Sequence, residues 1–251
     1  MKISCKRSIF KNTLLVFLFG LFVVTCFGQN DLTSKLKERN FAILISDYRI
    51  KIAKECKGKG FDCSIAQCTK IIELNPNDGA AYFLRGNFAF FAKQTDEAIQ
   101  DLIKSLELVS EHKETYNVLG LAYSEKGEFE RAIKVYDKVI NLAPKVSLYY
   151  SHRGNMYSQL GDLDKALADY NKAVELSSKD DYSYSSRAIL YFKQGDFDKA
   201  LADLNKAIEL EPDHWRNYYI RGNFYLQQGK KAKADADFQK AMELKESEEK
   251  E

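Results

Sequence analysis

Three cysteines lie close together in the first third of the sequence: Cys56, Cys63 and Cys68. Closely spaced thiols can form a disulfide or bind a metal ion. A structural zinc site takes four ligands, so three thiols without a fourth ligand fit such a site poorly. A disulfide is therefore the first chemistry to consider, and it requires elements that bring two of the sulfurs together.

Other residue types that support catalysis are present but not grouped. The histidines are scattered without metal-ligand spacing, and each is predicted to be solvated: His112, His152 and His214. Acidic stretches such as GDFD and GEFE are typical of helix starts, where acidic side chains cap backbone N–H groups and interact favourably with the helix dipole. The sequence therefore predicts no catalytic residues, no cofactor and no metal.

The first 28 residues have the character of a secretory signal. They contain four basic residues and no acidic one, and they end in the apolar run LLVFLFGLFVVTCFG. That run is shorter than the about 20 residues that span a bilayer, and Gly28 fits cleavage before Gln29. Two alternatives stay open, a lipoprotein signal acylated at Cys26 and an uncleaved anchor. We predict export to the periplasm or the medium.

Without this segment the chain is close to neutral. Removing four of the 38 basic side chains leaves 34 against 36 acidic ones, a net charge of −2. Nucleic-acid-binding domains usually carry a basic excess, so no nucleic-acid partner is predicted.

From residue 45 onward the sequence repeats every 34 residues. GDLDKALADYNKAVEL at 161–176 returns as GDFDKALADLNKAIEL at 195–210. Six units align without insertion, beginning at Ile45, Gly79, Lys113, Ser147, Asp181 and Trp215. Tyrosine and glycine recur at spacings of four and three residues early in the units, which marks one face of a helix. Alanines spaced seven apart mark a second helix, and a turn glycine separates the two in most units.

These residues resemble the tetratricopeptide repeat, and the resemblance covers residues 45–246. It implies an all-α, right-handed solenoid of six helix–turn–helix units with a protein-binding concave surface lined by first helices. The first unit departs from the pattern and is predicted to cap the array, with 29–44 as a linker or covering helix. Residues 247–251 form a charged tail. The second helix of the sixth unit, 231–244, is predicted to be polar enough to face water.

Two columns of the repeat change together. An arginine is followed sixteen residues later by an aspartate in four units: Arg85 and Asp101, Arg153 and Asp169, Arg187 and Asp203, Arg221 and Asp237. In the third unit both residues are apolar, Leu119 and Val135. The matched exception predicts that the pairs are in contact across each hairpin, with the common ancestry of duplicated units as the alternative.

The same hairpin positions the cysteines. Cys56 ends the first helix of its unit and Cys63 starts the second, whereas Cys68 occupies a core column. In an oxidising compartment outside the cytosol we predict a Cys56–Cys63 disulfide, and a zinc site is the alternative.

First-helix residues about 100° around from the Tyr–Gly stripe are predicted to line the concave groove. They are Phe83, Asn87, Phe90, Asn117, Leu121, Ser151, Asn155, Tyr182, Phe192, Tyr219 and Asn223. The asparagines of alternate units can form a ladder that holds an extended peptide backbone, because an amide both donates and accepts hydrogen bonds. The alternative is that asparagine is simply the residue favoured beside the repeat's glycine.

Together these features predict a non-catalytic scaffold or adaptor of the cell envelope that binds a peptide or a partner protein. One alternative is an assembly factor anchored to the membrane by a lipid on Cys26. Another is a module that binds carbohydrate in an aromatic-lined groove.

Overall fold

The computed structural model describes residues 29–248, with side chains from residue 39 onward. The predicted signal segment with Cys26 and residues 249–251 lie outside this range. Twelve helices occupy the described part of the chain, which contains no strand: α1 (Gln29–Glu55), α2 (Gly60–Leu74), α3 (Gly79–Phe91), α4 (Thr95–Leu108), α5 (Lys113–Glu125), α6 (Phe129–Leu142), α7 (Ser147–Gln159), α8 (Leu163–Leu176), α9 (Asp181–Lys193), α10 (Phe197–Leu210), α11 (Trp215–Gln227) and α12 (Lys231–Glu248).

The helices pack as six hairpins, one for each predicted unit. First helices of neighbouring units also contact each other, namely α1 with α3, α3 with α5, α7 with α9, and α9 with α11. Within residues 29–248 no comparable contact joins successive second helices. First helices therefore line the inner side of a curved array, and second helices form its outer side. The predicted all-α solenoid of six units is confirmed.

Helix α1 joins the N-terminal segment to the first unit without a break, so 29–44 is a helix and not a linker. Phe41 and Ile45 are buried, and the ring of Phe41 lies 4.5 Å from that of His112, between centroids. Since His112 precedes α5, α1 covers the start of the third unit as well as its own hairpin. At the other end, α12 extends two residues beyond the predicted limit of 246.

The first helices carry glycine because the second helix of the same unit presses a large side chain against it. A Cβ atom added to Gly154 would lie 2.8 Å from Cε1 of Tyr170, closer than packed atoms approach. The fifth unit has Leu204 in place of the ring, and there Ala188 is accommodated, with both residues buried. The glycine is therefore a requirement of packing, which outweighs its helix propensity, about 1 kcal/mol below that of alanine.

Replacement of Gly154 by alanine should lower the free energy of unfolding by roughly 1–3 kcal/mol, because the new methyl group overlaps the Tyr170 ring. Denaturant unfolding followed by circular dichroism measures the change. Gly154→Ala combined with Tyr170→Leu reproduces the pairing of the fifth unit and should recover part of the loss. A Gly154→Ala variant as stable as the wild type would contradict this account.

Candidate functional site

Four arginines tie the two helices of their units together. Nε of Arg85 donates to Oδ2 of Asp101 at 2.7 Å, and Nη2 donates to Oδ1 at 2.8 Å. Arg153, Arg187 and Arg221 make the same two bonds to their aspartates. These hydrogen bonds raise the pKa of each arginine. The structure thus places the two covarying columns in direct contact.

Each of these arginines also contacts the preceding unit, a feature that the sequence analysis missed. Nη1 donates to a side chain sixteen positions earlier, on the preceding second helix: Thr69, Asp137, Asn171 and Asn205 for the four arginines in chain order. The signal was visible, because this column is polar before every arginine and is Ile103 before Leu119. One side chain therefore holds three helices.

Tyrosines of the first helices flank the guanidinium groups. The guanidinium carbon of Arg187 lies 5.6 Å from the ring centre of Tyr184 and 5.8 Å from that of Tyr191. The tyrosine stripe predicted from the spacing therefore packs on the arginine, where cation–π attraction adds to the hydrogen bonds.

Replacement of one of these arginines should lower the free energy of unfolding. Arg187→Leu should destabilise the protein by about 2–4 kcal/mol, because it leaves Asp203, whose side chain is 10% exposed, without its cation. The double variant Arg187→Leu with Asp203→Val recreates the third unit. Its loss of stability should fall short of the sum of the single losses by at least about 1 kcal/mol.

The exposed pair Lys172–Glu175 is the matched control, with an expected coupling below about 0.5 kcal/mol. Denaturant unfolding of the four variants in each cycle measures both couplings. A coupling near zero for Arg187 and Asp203 would favour common ancestry as the reason for the covariation.

The first hairpin carries a disulfide between Cys56 and Cys63, whose Cα atoms are 5.6 Å apart. It closes the turn between α1 and α2 in the unit that departs most from the repeat pattern. Cys68 is buried in the core column, and burial raises the pKa of its thiol to about 12.

Two of the predicted groove residues, Phe83 and Ser151, are in fact buried, with 2% and 0% exposure. The fifth position of a first helix faces the next unit: Phe83 packs edge-on against His112, and Oγ of Ser151 lies 2.6 Å from Oγ of Ser183. Their assignment to the groove is wrong, because helical periodicity does not show how the next unit is placed.

The predicted asparagine ladder is also wrong in one of its members. Oδ1 of Asn155 accepts a hydrogen bond from the Tyr170 hydroxyl at 2.6 Å, and its Nδ2 donates to the Tyr182 hydroxyl at 2.6 Å. Asn155 and Tyr182 therefore connect the fourth and fifth units instead of offering free groups to a ligand.

The remaining predicted groove residues differ in their exposure and in the contacts that they make. Asn223 donates to the carbonyl oxygen of Tyr219 on its own helix, and Oδ1 of Asn117 is buried without a hydrogen-bond partner among the residues of the described range. Phe192 stacks on Phe224 of the next unit at 3.9 Å between centroids. Three further predicted residues are partly exposed on the first helices: Asn87, Phe90 and Leu121.

The ninth and twelfth positions of the first helices remain accessible to solvent to different degrees. We call them the inner surface: Asn87, Leu121, Asn155, Ile189 and Asn223, with Phe90, Ser124, Ser158, Phe192 and Leu226. None of these side chains is charged, in a chain of which 29% of the residues are charged. The array therefore presents a neutral strip of amide, hydroxyl and apolar groups along its inner side.

The prediction that the histidines are solvated is wrong for two of them. His112 is 6% exposed, and His152 lies between the rings of Tyr136 and Tyr182, at 5.6 and 5.7 Å. Burial lowers the pKa of His152 to about 4 from its ordinary 6.5. His214 is partly exposed, with Nδ1 2.7 Å from Oδ2 of Asp181.

Acid should weaken the fold through His152. Below about pH 6.5 the unfolded chain binds a proton at His152, whereas the folded chain does not bind it until about pH 4. The free energy of unfolding therefore decreases as the pH is lowered from about 6.5 to about 4. Between pH 7 and pH 5 the loss should be about 2 kcal/mol. His152→Val, which matches Val118 of the third unit, should remove this part of the slope. Parallel slopes for variant and wild type, in unfolding measured at each pH, would refute the assignment.

The helical hairpins, their shared clamps and the neutral inner strip define an α-helical repeat scaffold of the kind that mediates protein–protein interaction. Sequence profiles described as tetratricopeptide repeat match residues 68–100, 113–146, 182–214 and 216–248, and one described as TPR repeat matches 154–195. The chain belongs to the tetratricopeptide-repeat family, whose members are typically non-catalytic interaction modules. No curated protein matches the chain in sequence.

Several solved structures share the fold. MamA is 25% identical with a TM-score of 0.54, over 66% of this chain and 97% of MamA. TTC0263 from Thermus thermophilus is 23% identical with a TM-score of 0.56, over 72% and 96% of the two chains. YrrB, described as having an unusual peptide-binding site, is 24% identical with a TM-score of 0.51, over 70% and 91%.

None of the helices α1–α12 is long and apolar enough to cross a membrane. Over the same range, histidine, cysteine and acidic side chains form no group that could hold a metal ion.

Proposed function

We propose that the protein is a non-catalytic scaffold that binds an extended peptide, or an extended segment of a partner protein, on its inner surface. The observation that carries the proposal is the neutrality of that surface along five successive first helices. A ligand with a high charge would find no counter-charge there. A ligand with apolar side chains and an exposed backbone would find both apolar contacts and hydrogen-bonding groups.

The exposed members of the strip supply these contacts. Ile189 and Leu226 are 37% and 50% exposed. Asn87 has no hydrogen bond to its side chain within the described range, so its amide is available to a peptide backbone. Apolar contact supplies the affinity, and the amide sets the register of the bound backbone.

The geometry of the array sets the length of the ligand. Packed helices lie about 10 Å apart, so five first helices extend over about 40 Å. An extended chain advances about 3.3 Å per residue. A segment of about twelve residues therefore matches the inner surface.

We place this scaffold outside the cytosol, in the cell envelope or secreted. Support comes from the signal-like segment 1–28 and from the Cys56–Cys63 disulfide, because such bonds persist in oxidising compartments. The intact mass of the protein purified from its native cells separates a chain beginning at Gln29 from one that carries lipid on Cys26.

Charges placed on the inner surface should weaken peptide binding. Twelve-residue peptides selected from a random displayed library against the chain from Gln29 should lose at least about tenfold in affinity, or about 1.4 kcal/mol, on Leu121→Glu with Ile189→Glu. Both side chains are partly exposed, so the melting temperature should stay within a few degrees of the wild type.

The matched control is Gln100→Glu with Asn141→Glu, which adds the same two charges to exposed sites on second helices. Fluorescence anisotropy with labelled peptides compares the three proteins. Peptides that bind the inner-surface variant normally and the control weakly would move the site to the outer face.

A further inference from the structure

The sixth unit ends in an open apolar pocket of about 870 Å³ between α11 and α12. Its walls include Trp215, Arg216, Tyr219, Phe238, Met242 and Lys245. The side chain of Met242 is 59% exposed. The expectation that the last helix is polar enough to face water is therefore wrong for this side of α12, although its other faces are polar.

The corresponding surface of the fifth unit is covered. Leu204 and Ala207 are fully buried. They occupy the positions that Phe238 and Ala241 occupy in the sixth unit. Phe224, from the first helix of the next unit, packs in the same apolar cluster as Leu204. The terminal pocket is thus the surface that, at the internal junctions, receives a helix.

The internal junctions also show what such a helix presents. The third and tenth residues of each first helix face the preceding unit, and the third is buried in every one of units two to six: Ala81, Thr115, Tyr149, Ser183 and Asn217. The sixth residue lies on the same stripe, because positions i, i+3 and i+7 share one helix face. A helix that fills the pocket therefore needs small or apolar side chains at this spacing.

The rim of the terminal pocket differs in charge from the internal junction before it. Asp181 begins the fifth unit and accepts hydrogen bonds from Asn217 of the next first helix and from His214, the residue that precedes this helix. In the sixth unit Trp215 replaces this aspartate, and two cationic side chains lie near its ring. Arg216 lies 5.5 Å and Lys245 5.6 Å from the indole.

We propose that the terminal pocket binds an amphipathic helix of a partner protein, with an acidic first turn and with small or apolar residues at i, i+3 and i+7. The acidic turn matches the positive helix N-terminus to which it belongs and meets the cationic rim. The apolar stripe continues the stacking of the array by one more helix.

A second copy of the chain supplies this chemistry poorly. The stripe of the first unit that would stack head to tail on the pocket holds Asp47, Ile50 and Lys54, all exposed, so two of its three positions are charged. Pocket-to-pocket pairing would bring the cations of one rim towards those of the other. The favoured occupant is therefore a different chain.

A segment of the protein itself provides a probe. Residues 180–194, DDYSYSSRAILYFKQ, begin with two aspartates and carry Ser183, Ser186 and Leu190 on the stacking stripe. A lactam bridge between positions 184 and 188, away from that stripe, keeps the short peptide helical, since isolated helices of this length are marginal. Trp215 is the sole tryptophan of the chain and the peptide has none, so tryptophan emission reports on the pocket alone.

We expect the peptide to shift Trp215 emission to the blue in a saturable manner. Met242→Asp, and separately Arg216→Glu with Lys245→Glu, should weaken the peptide at least about tenfold. Lys240→Glu, an exposed site on α12 outside the pocket, should leave binding unchanged. A peptide with lysine at positions 180 and 181 should prefer the charge-reversed protein.

Three results would overturn the proposal. They are no emission change at millimolar peptide, equal effects of the pocket variants and Lys240→Glu, and a blue shift with protein concentration alone. In the last case, a doubled mass by sedimentation that Met242→Asp abolishes would assign the pocket to a second copy. The inner-surface variant Leu121→Glu with Ile189→Glu should bind this peptide normally, which separates the two sites.

Discussion

The arginine shared by three helices is the contact on which the array depends. A solenoid needs two kinds of cohesion, one that closes each hairpin and one that fixes each hairpin on its neighbour. The guanidinium group meets both needs because its donors lie in one plane and point in different directions. In Arg153 two of them hold Asp169 and a third holds Asp137 of the preceding unit. Full pairing of this kind offsets the cost of taking the charge partly out of water.

The third unit shows that the geometry does not require the charge. Leu119 and Val135 take the places of arginine and aspartate and are buried within one apolar cluster, and Ile103 stands where the other units have a polar third partner. All three positions changed together, so this contact among three helices is apolar in the third unit, and the hydrogen bonds that join the second and third units are made by other side chains. The same backbone arrangement is thus compatible with two chemistries, provided that no member of the set is left unmatched.

Much of the fold could be predicted from the sequence because the six repeated units can be aligned with one another. The 34-residue period fixed the hairpins, and the matched change at Leu119 and Val135 identified a contact within each unit. Contacts between units were harder to predict, because they depend on the rotation from one hairpin to the next and not on the period within a helix. For that reason the period within a helix predicts Phe83 and Ser151 in the groove, although they face the following unit. Asn155 was expected to be free for the same reason.

Stacking between units also explains where binding surfaces are left. At each internal junction, the third and tenth residues of one first helix pack against the preceding unit, where they meet the fifth residue of the preceding first helix. These side chains are therefore buried between units and are not available to a ligand. Most side chains at the ninth and twelfth positions take no part in the junctions, Asn155 and Phe192 being the exceptions, and together they leave the neutral strip.

The two ends of the array differ in the surface that they leave without a neighbouring unit. The N-terminal end presents Asp47 and Lys54 on the stripe that would otherwise receive a neighbour, while Phe41 of α1 is buried against the following units. The C-terminal end leaves Met242 and Tyr219 exposed, because no further hairpin covers them in the described range. The residues of α12 are mostly polar, which predicts a helix that faces water, yet its apolar residues gather on the one side that faces along the array. The two ends of the array therefore differ: the N-terminal end carries charged side chains on its stacking stripe, and the C-terminal end keeps an apolar surface like that of an internal junction, but with cationic side chains at its rim.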